Sequence, residues 1–178
     1  MKHIFVGNGS ISKRHQANLR LLRPDAEVIT VDTNGEADYS NILNVPLADN
    51  CVYICTPMDR HGYHLSVALE HGAKAIAVEK PLFAPGVDMG NFFDGVNIPI
   101  IFYNYLFYPL FLDLKARADK LVFLSLYGGE HLSDKYGDTA MGTMASHSID
   151  LALWIMGDAI EHRTFDGKTR LTSTICAD

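Results

Sequence analysis

Two short stretches and one later histidine have residue types and spacings that fit chemistry. The first stretch is Glu79-Lys80-Pro81, which closes the apolar run 75–78. With Gly72 ahead of it and proline behind, that run reads as a strand buried on both faces of a parallel sheet. Open α/β sheets bind ligands at the carboxyl edge of their strands, where Glu79 and Lys80 would stand. A lysine held rigidly there is a candidate proton-transfer group, and the Lys80-Pro81 bond is a candidate for the cis form. A plain strand-ending charge pair is the other reading of the same residues.

The second stretch is Gly7-Asn8-Gly9-Ser10-Ile11-Ser12, set between an apolar strand over 2–6 and a helical stretch over 13–22. In G-x-G-x-x-S the first glycine permits a tight turn, and the second lets the backbone approach a pyrophosphate. The third position needs a small residue for helix-strand packing, so Ser12 is a mild departure. The loop amides and the helix N-terminus would together make a phosphate site. A second strand, 27–31, ends at Asp32, a little over twenty residues past the glycines, where an acid accepts hydrogen bonds from ribose hydroxyls. Asp32 also suits a turn, since D-T-N-G is turn-rich. Thr33-Asn34-Gly35 offers no arginine for a 2'-phosphate, which favours NAD over NADP.

The histidine is His147, at the opening of a predicted helix over 145–156 that ends at Gly157. The helix dipole disfavours an imidazolium in the first turn, so His147 would titrate near neutrality and exchange a proton with a substrate. Asp150, three residues on, would bond its second nitrogen. A helix-start histidine bonded to backbone is the alternative.

The elements that must position these groups follow an alternating pattern in the first half of the chain. After an irregular crossover over 36–50, a strand over 51–55 ends in Thr56-Pro57, and Asp59 is placed to cap a helix that runs to about His71 and stops at Gly72. His61 and His64 on that helix lack a third ligand at metal spacing and are read as surface or cofactor-edge residues, so no metal is expected. A weak helix over 87–93 and a strand over 98–103 complete the alternation. The fold class is α/β, with a Rossmann domain over 1–103 followed by a shortened α+β domain over 104–178 with a mostly antiparallel open sheet. Within the second domain the sequence predicts a helix over 109–120 with Leu110, Phe111, Leu112 and Leu114 as its apolar positions and Pro109 in its first turn. It also predicts a strand over 121–127, a polar loop over 128–142, and a hairpin of strands 159–165 and 168–176 around a two-residue Asp166-Gly167 turn.

Bulk properties narrow the function classes. The chain has 178 residues, 48% of them apolar, which suffices for a real core. A net charge of -6 with scattered Lys and Arg gives no basic stripe, so neither nucleic acid nor a membrane is an expected partner. The eighteen uncharged residues 95–112 are broken by Pro99 and Pro109 and interrupted by Asn97 and Asn104, unlike a membrane span. Cys51, Cys55 and Cys176 show no metal spacing and read as reduced core residues of a cytoplasmic protein. Ile4-Phe5-Val6 is too short for the apolar core of a signal peptide.

Four blocks together resemble the glucose-fructose oxidoreductase and inositol dehydrogenase (Gfo/Idh/MocA) family: G-N-G-S-I-S-K-R-H-Q-A-N-L at 7–19, I-C-T-P-M-D-R-H-G-Y-H-L-S-V-A-L at 54–69, V-E-K-P-L at 78–82, and S-H-S-I-D-L-A-L-W-I-M-G at 146–157. The E-K-P block is the most specific and the glycine loop the least. The resemblance implies a Rossmann domain followed by a domain with a large open sheet. It also implies hydride transfer between a nicotinamide cofactor and a hydroxyl-bearing carbon of a sugar or cyclitol, so the substrate would be a small polyol or sugar. By position, Lys80 and His147 are the catalytic pair. His147 would take the hydroxyl proton while Lys80 bonds the same oxygen and steadies its charge. Gly7, Asn8, Gly9, Ser10, Ile11, Asp32, Thr56, Pro57, His61, Glu79 and Lys80 would hold the cofactor. Tyr103, Asn104 and Asp150 would face the substrate, with Phe102, Tyr105, Phe107 and Tyr108 as further pocket walls or core.

Three departures from that family pattern stand out. Thr143 and Met144 occupy the place of an aspartate that precedes the histidine, Leu106 stands at the arginine of N-x-R-x-x-P, and the chain ends at Asp178 after three strands of the second sheet. The expectation is therefore a compact or truncated enzyme of this kind. The alternative is a non-catalytic dinucleotide-binding sensor or remnant, against which Lys80 and His147 argue. A short open sheet leaves an edge and a face to cover, which points to a homodimer or higher homo-oligomer.

Overall fold

A computed structural model describes residues 1–83 and 99–117, helical residues 147, 150, 151 and 153–155, and strands 161–165 and 172–176. The chain divides into two units, Met1–Phe102 and Tyr103–Asp178.

The first unit is a five-stranded, wholly parallel sheet. Its strands are β1 (His3–Val6), β2 (Val28–Val31), β3 (Cys51–Ile54), β4 (Ala75–Glu79) and β5 (Ile100–Phe102), in the order β2-β1-β3-β4-β5. Helix α1 (Ser10–Leu22) joins β1 to β2, and α2 (His61–Glu70) joins β3 to β4. The chain steps outward from β1 to β2 and then returns past β1 to β3, so the strand order reverses between β1 and β3. Crevices at such reversals are where open α/β sheets bind ligands.

Alternation along the strands separates two faces. Ile4, Val6, Ile29, Val31, Val52, Ile54, Ile76 and Val78 form one core with Leu65, Val67 and Ala68 of α2 and with Ile42, Val45 and Leu47 of the crossover. The crossover contains a 3-10 turn, Ile42–Asn44, and isolated bridges at Tyr39 and Ala48, in keeping with its poor sequence pattern. On the opposite face Phe5 stacks on Tyr53 at 4.4 Å, and Tyr53 lies parallel to Phe102 at 6.4 Å. Helix α1 turns Ser12 and Gln16 inward and leaves Leu21 and Leu22 exposed.

The ends of α2 differ from each other in how far the sequence foretold them. Asp59 does not cap it: a 3-10 turn, Met58–Arg60, precedes the helix, Asp59 lies inside that turn, and the N-cap residue Arg60 makes no side-chain cap bond. The C-terminus follows expectation. Gly72 has φ +72°, its amide donates to Leu69 O at 3.1 Å, and the Ala73 amide donates to Ala68 O at 3.0 Å, the paired bonds of a Schellman stop. Helix α1 begins at Ser10, three residues before its predicted start, because the turn closes directly after Gly9. β5 is shorter than the predicted 98–103.

In the second unit α3 (Pro109–Ala116) carries Pro109 in its first turn, but Leu110 and Leu112 are exposed and do not form its buried face. Lys115 donates to the carbonyl of Trp154 and lies 5.6 Å over its ring. Leu151 and Ile155 are buried, as the helical spacing of that segment requires. β6 (Glu161–Phe165) and β7 (Thr172–Cys176) are antiparallel. Their register pairs Phe165 with Thr172, whereas a two-residue turn at Asp166-Gly167 would pair Phe165 with Lys168, so that turn is corrected. The predicted elements 87–93, 121–127 and 128–142 lie outside the described residues. Among those described, no helix is long and apolar enough to cross a membrane.

Gly72→Ala keeps every side-chain contact but places a Cβ in the left-handed region, so it should lower the unfolding free energy by about 1 kcal/mol. Urea denaturation of the two proteins checks this.

Candidate functional site

Parallel register brings the chemistry-bearing residues to one edge. Val6 pairs with Val31 and with Ile54, and Ile54 pairs with Val78. The next residues of four neighbouring strands, Gly7, Asp32, Cys55-Thr56 and Glu79-Lys80, therefore leave the sheet side by side.

Gly7 turns with φ +91°, and its amide donates to Val31 O at 2.8 Å. A Cβ there would lie 2.7 Å from the Cys55 carbonyl oxygen, so both the backbone angle and the space demand glycine. Gly9 is different. Its φ is an ordinary -74°, and among the described residues no atom beyond its chain neighbours lies within 4 Å of where its Cβ would be. The space in front of Gly9 is open to a ligand. Gly9 is also the N-cap of α1 and, having no side chain, leaves the first-turn amides uncapped, and no acidic residue stands in that turn. Among the described residues, Ser10 and Ile11 thus present a helix N-terminus with no side-chain cap, which suits an anion.

Asn8, itself buried, donates its amide to Asp32 Oδ2 at 2.6 Å and accepts from Gln16 Nε2 at 3.2 Å. Asp32 Oδ1 accepts from the Asn34 amide at 3.1 Å. The turn reading of Asp32 holds: it forms the turn after β2 and fixes the glycine loop, and each of its oxygens keeps a lone pair. Ser12, with 0% exposure, fills the third small position and accepts from Gln16 Nε2 at 3.1 Å. It packs at Cys55, whose thiol is pushed up to about 12 by burial and then by the Glu79 charge, against an opposing hydrogen bond with Ser12. Cys55 is thus an inert core thiol, and Cys51 is a half-buried free one.

The two helix histidines are not surface residues. His61 is 1% exposed, with Nε2 2.8 Å from Thr56 O and Nδ1 2.8 Å from Pro81 O. His64 Nδ1 shares a hydrogen bond with Thr56 Oγ1 at 3.1 Å. Burial first, and Arg60 next, lowers the His64 imidazole below its usual value. Both rings are buried beneath the Thr56-Pro57 turn because only three residues separate Pro57 from the start of α2. Pro57 itself is exposed.

Glu79 has a partner that sequence reasoning missed. His15 Nε2 lies 2.7 Å from Glu79 Oε1, and its ring stacks on Phe102 at 4.3 Å. The available signal was helical spacing: His15 lies one turn beyond Ser12, on the face of α1 that meets the sheet. Lys80 is half-buried, and the Lys80-Pro81 bond is cis, as its position suggested.

His147, Asp150, Tyr103 and Asn104 belong to the second unit. His147 is buried and meets Tyr103 edge-on at 5.8 Å. Burial raises the Asp150 carboxyl. Asp150 Oδ2 is buried with no hydrogen-bond partner among the described residues, so this oxygen does not make the expected bond to His147. Asn104 opens a 3-10 turn, Asn104–Phe107.

No protein-family model and no curated protein matches the sequence. Solved structures do match in fold. The WlbA (WbpB) dehydrogenase from Thermus thermophilus, solved with NAD and UDP-GlcNAcA, gives a TM-score of 0.67 at 18% identity, over 93% of this chain and 66% of that one. A probable dehydrogenase from Thermotoga maritima gives 0.70 at 18% identity, over 91% and 57%. UDP-N-acetylglucosamine 3-dehydrogenase GnnA from Acidithiobacillus ferrooxidans gives 0.65 at 16%, over 95% and 61%. The chain thus spans between 57% and 66% of the length of these three. What they share with it is the Rossmann-type fold.

Gly7 and Gly9 should separate in a stability measurement. Gly7→Ala is expected to cost at least about 2 kcal/mol through strain and collision. Gly9→Ala should cost less than about 1 kcal/mol, the difference between glycine and alanine at an N-cap. In the folded protein at pH 8, iodoacetamide should leave Cys55 unmodified and should label it on unfolding, as mass spectrometry would read.

Proposed function

We propose that this chain is a nicotinamide-dependent oxidoreductase of the Gfo/Idh/MocA type, using NAD. It would transfer a hydride to or from the secondary alcohol or ketone of a sugar, cyclitol or sugar derivative. The observation that carries the reading is the meeting, at one reversal of strand order, of an open glycine, an uncapped helix N-terminus, Asp32 and Lys80. Two of the similar structures are dehydrogenases whose names or ligands include a UDP-linked sugar, which supports nucleotide-linked sugars as the first substrates to try.

In this reading the first-turn amides after Gly9 hold the pyrophosphate, and Asp32 accepts from the adenosine ribose. Thr56 and Pro57 line the path toward Lys80. When bound, NAD supplies the hydride acceptor. Lys80 bonds the reacting oxygen and stabilises its negative charge. His147 takes or returns the hydroxyl proton. Tyr103, in edge contact with the His147 ring, restricts that ring's orientation, and Asp150 would face the substrate.

A second reading is a dinucleotide-binding sensor without turnover, favoured by Leu106 and by Thr143-Met144 at positions where related enzymes carry charge. Titration of NADH by fluorescence, followed by a turnover screen of polyols, sugars and UDP-sugars, separates the two. Lys80→Ala and His147→Ala should each lower turnover by roughly 10²-fold or more while NADH still binds. Gly9→Ala should weaken NADH binding by about tenfold or more, since a methyl group would occupy the approach to the pyrophosphate. Binding without turnover across the panel favours the sensor, and absence of binding overturns both.

A further inference from the structure

We infer that His61 is a positioning residue that sets Lys80 through the Pro81 carbonyl. The inference rests on the oxidoreductase reading for its consequence, though not for its geometry. The His61 ring is 1% exposed, too deep for contact with a substrate, and each of its nitrogens meets a backbone carbonyl oxygen: Thr56 O at 2.8 Å and Pro81 O at 2.8 Å. Those carbonyls belong to the turns that follow β3 and β4. One side chain on α2 therefore ties together the two loops that leave the sheet on either side of the proposed nicotinamide path.

A carbonyl oxygen only accepts, so both contacts are hydrogen bonds when the ring carries a proton on each nitrogen, and one of them is when it carries a single proton. Of the two, the bond to Pro81 bears on Lys80. The residue before Lys80 is already held, since Glu79 is bonded to His15 at 2.7 Å. The residue after it is held by His61. Phe83 closes the same segment over α2, with its ring 3.4 Å from where a Gly62 Cβ would lie. Lys80 is thus bracketed, and a misplacement of about 1 Å in a group that must meet a reacting oxygen can cost roughly 10²-fold in rate.

Three substitutions separate positioning from mere filling of space. In His61→Asn the amide nitrogen takes the place of Nδ1 and donates to Pro81 O. In His61→Gln it takes the place of Nε2 and donates to Thr56 O. His61→Phe keeps the ring and neither bond. We expect kcat to fall about 30-fold in His61→Phe and about as far in His61→Gln, and to stay within about fivefold of wild type in His61→Asn. In a Lys80→Ala background His61→Phe should cost less than about twofold more, because the lost bond acts through Lys80. Equal behaviour of His61→Asn and His61→Gln, or a His61→Phe loss undiminished in the Lys80→Ala background, overturns the inference.

A second measurement needs no turnover. After reductive methylation with 13C-formaldehyde, the Lys80 signal, assigned by its disappearance in Lys80→Arg, should shift in His61→Phe and His61→Gln and keep its place in His61→Asn. An unmoved signal in all three overturns the positioning role. Should Lys80→Ala leave turnover intact, the oxidoreductase reading fails, while the NMR comparison still decides whether His61 governs Lys80.

Discussion

At Gly7 the chain leaves β1 with φ +91° and passes so close to the Cys55 carbonyl that a single methyl group would lie 2.7 Å from it. That approach decides where the remainder of the site can be. It brings the glycine loop down onto the backbone that follows β3, so that α1 starts at the reversal of strand order and points its unbonded amides there. It also puts Asn8 within 2.6 Å of Asp32, which locks the loop to the end of β2. A larger residue at position 7 would lift the loop away from β3, and the Asn8-Asp32 bond, the Ser12-Cys55 contact and the helix start would all be displaced with it.

Around this turn, polar groups are buried only where they have partners. Gln16 donates to both Asn8 and Ser12 inside the fold, and His61 has a ring nitrogen 2.8 Å from each of two carbonyl oxygens, donating to at least one of them. Leaving any of these groups unpaired would cost about 1–3 kcal/mol each, so the network specifies one arrangement of loops where an apolar filling would permit several. Asp32 holds the glycine loop through the Asn8 amide, and His61 lies between the Thr56 and Lys80 turns. Among the described residues, the carboxyl edge is open in front of Gly9.

The sequence made the first unit legible because its signals were local. The glycine spacing, the apolar runs, Asp32 and Gly72 each act within a few residues, and the strands they imply pair in parallel in the usual doubly wound way. Less legible were the partners that only the folded sheet creates. His15 and Glu79 are 64 positions apart and meet because the His15 side chain reaches from α1, which packs on β1, to the end of β4 and to Phe102 of β5. His61 resembles a surface helix residue until the Thr56-Pro57 turn folds over it, and Asp59 resembles a cap until a 3-10 turn intervenes. In the hairpin, Asp166-Gly167 is a strong local turn signal, yet the pairing of Phe165 with Thr172 overrides it. In α3 residue type alone marks the apolar positions, and the helix leaves two of them, Leu110 and Leu112, exposed.

The central claim is that a dinucleotide lies along the carboxyl edge with its pyrophosphate before Gly9. Addition of NAD to 15N-labelled protein, followed by amide NMR, tests it most directly. The account predicts the largest shifts at the amides of Asn8, Gly9, Ser10 and Ile11, accompanied by Asp32 and Thr56. Shifts concentrated at the opposite edge of the sheet, around Arg23 and Glu27, or none at saturating NAD, would contradict it.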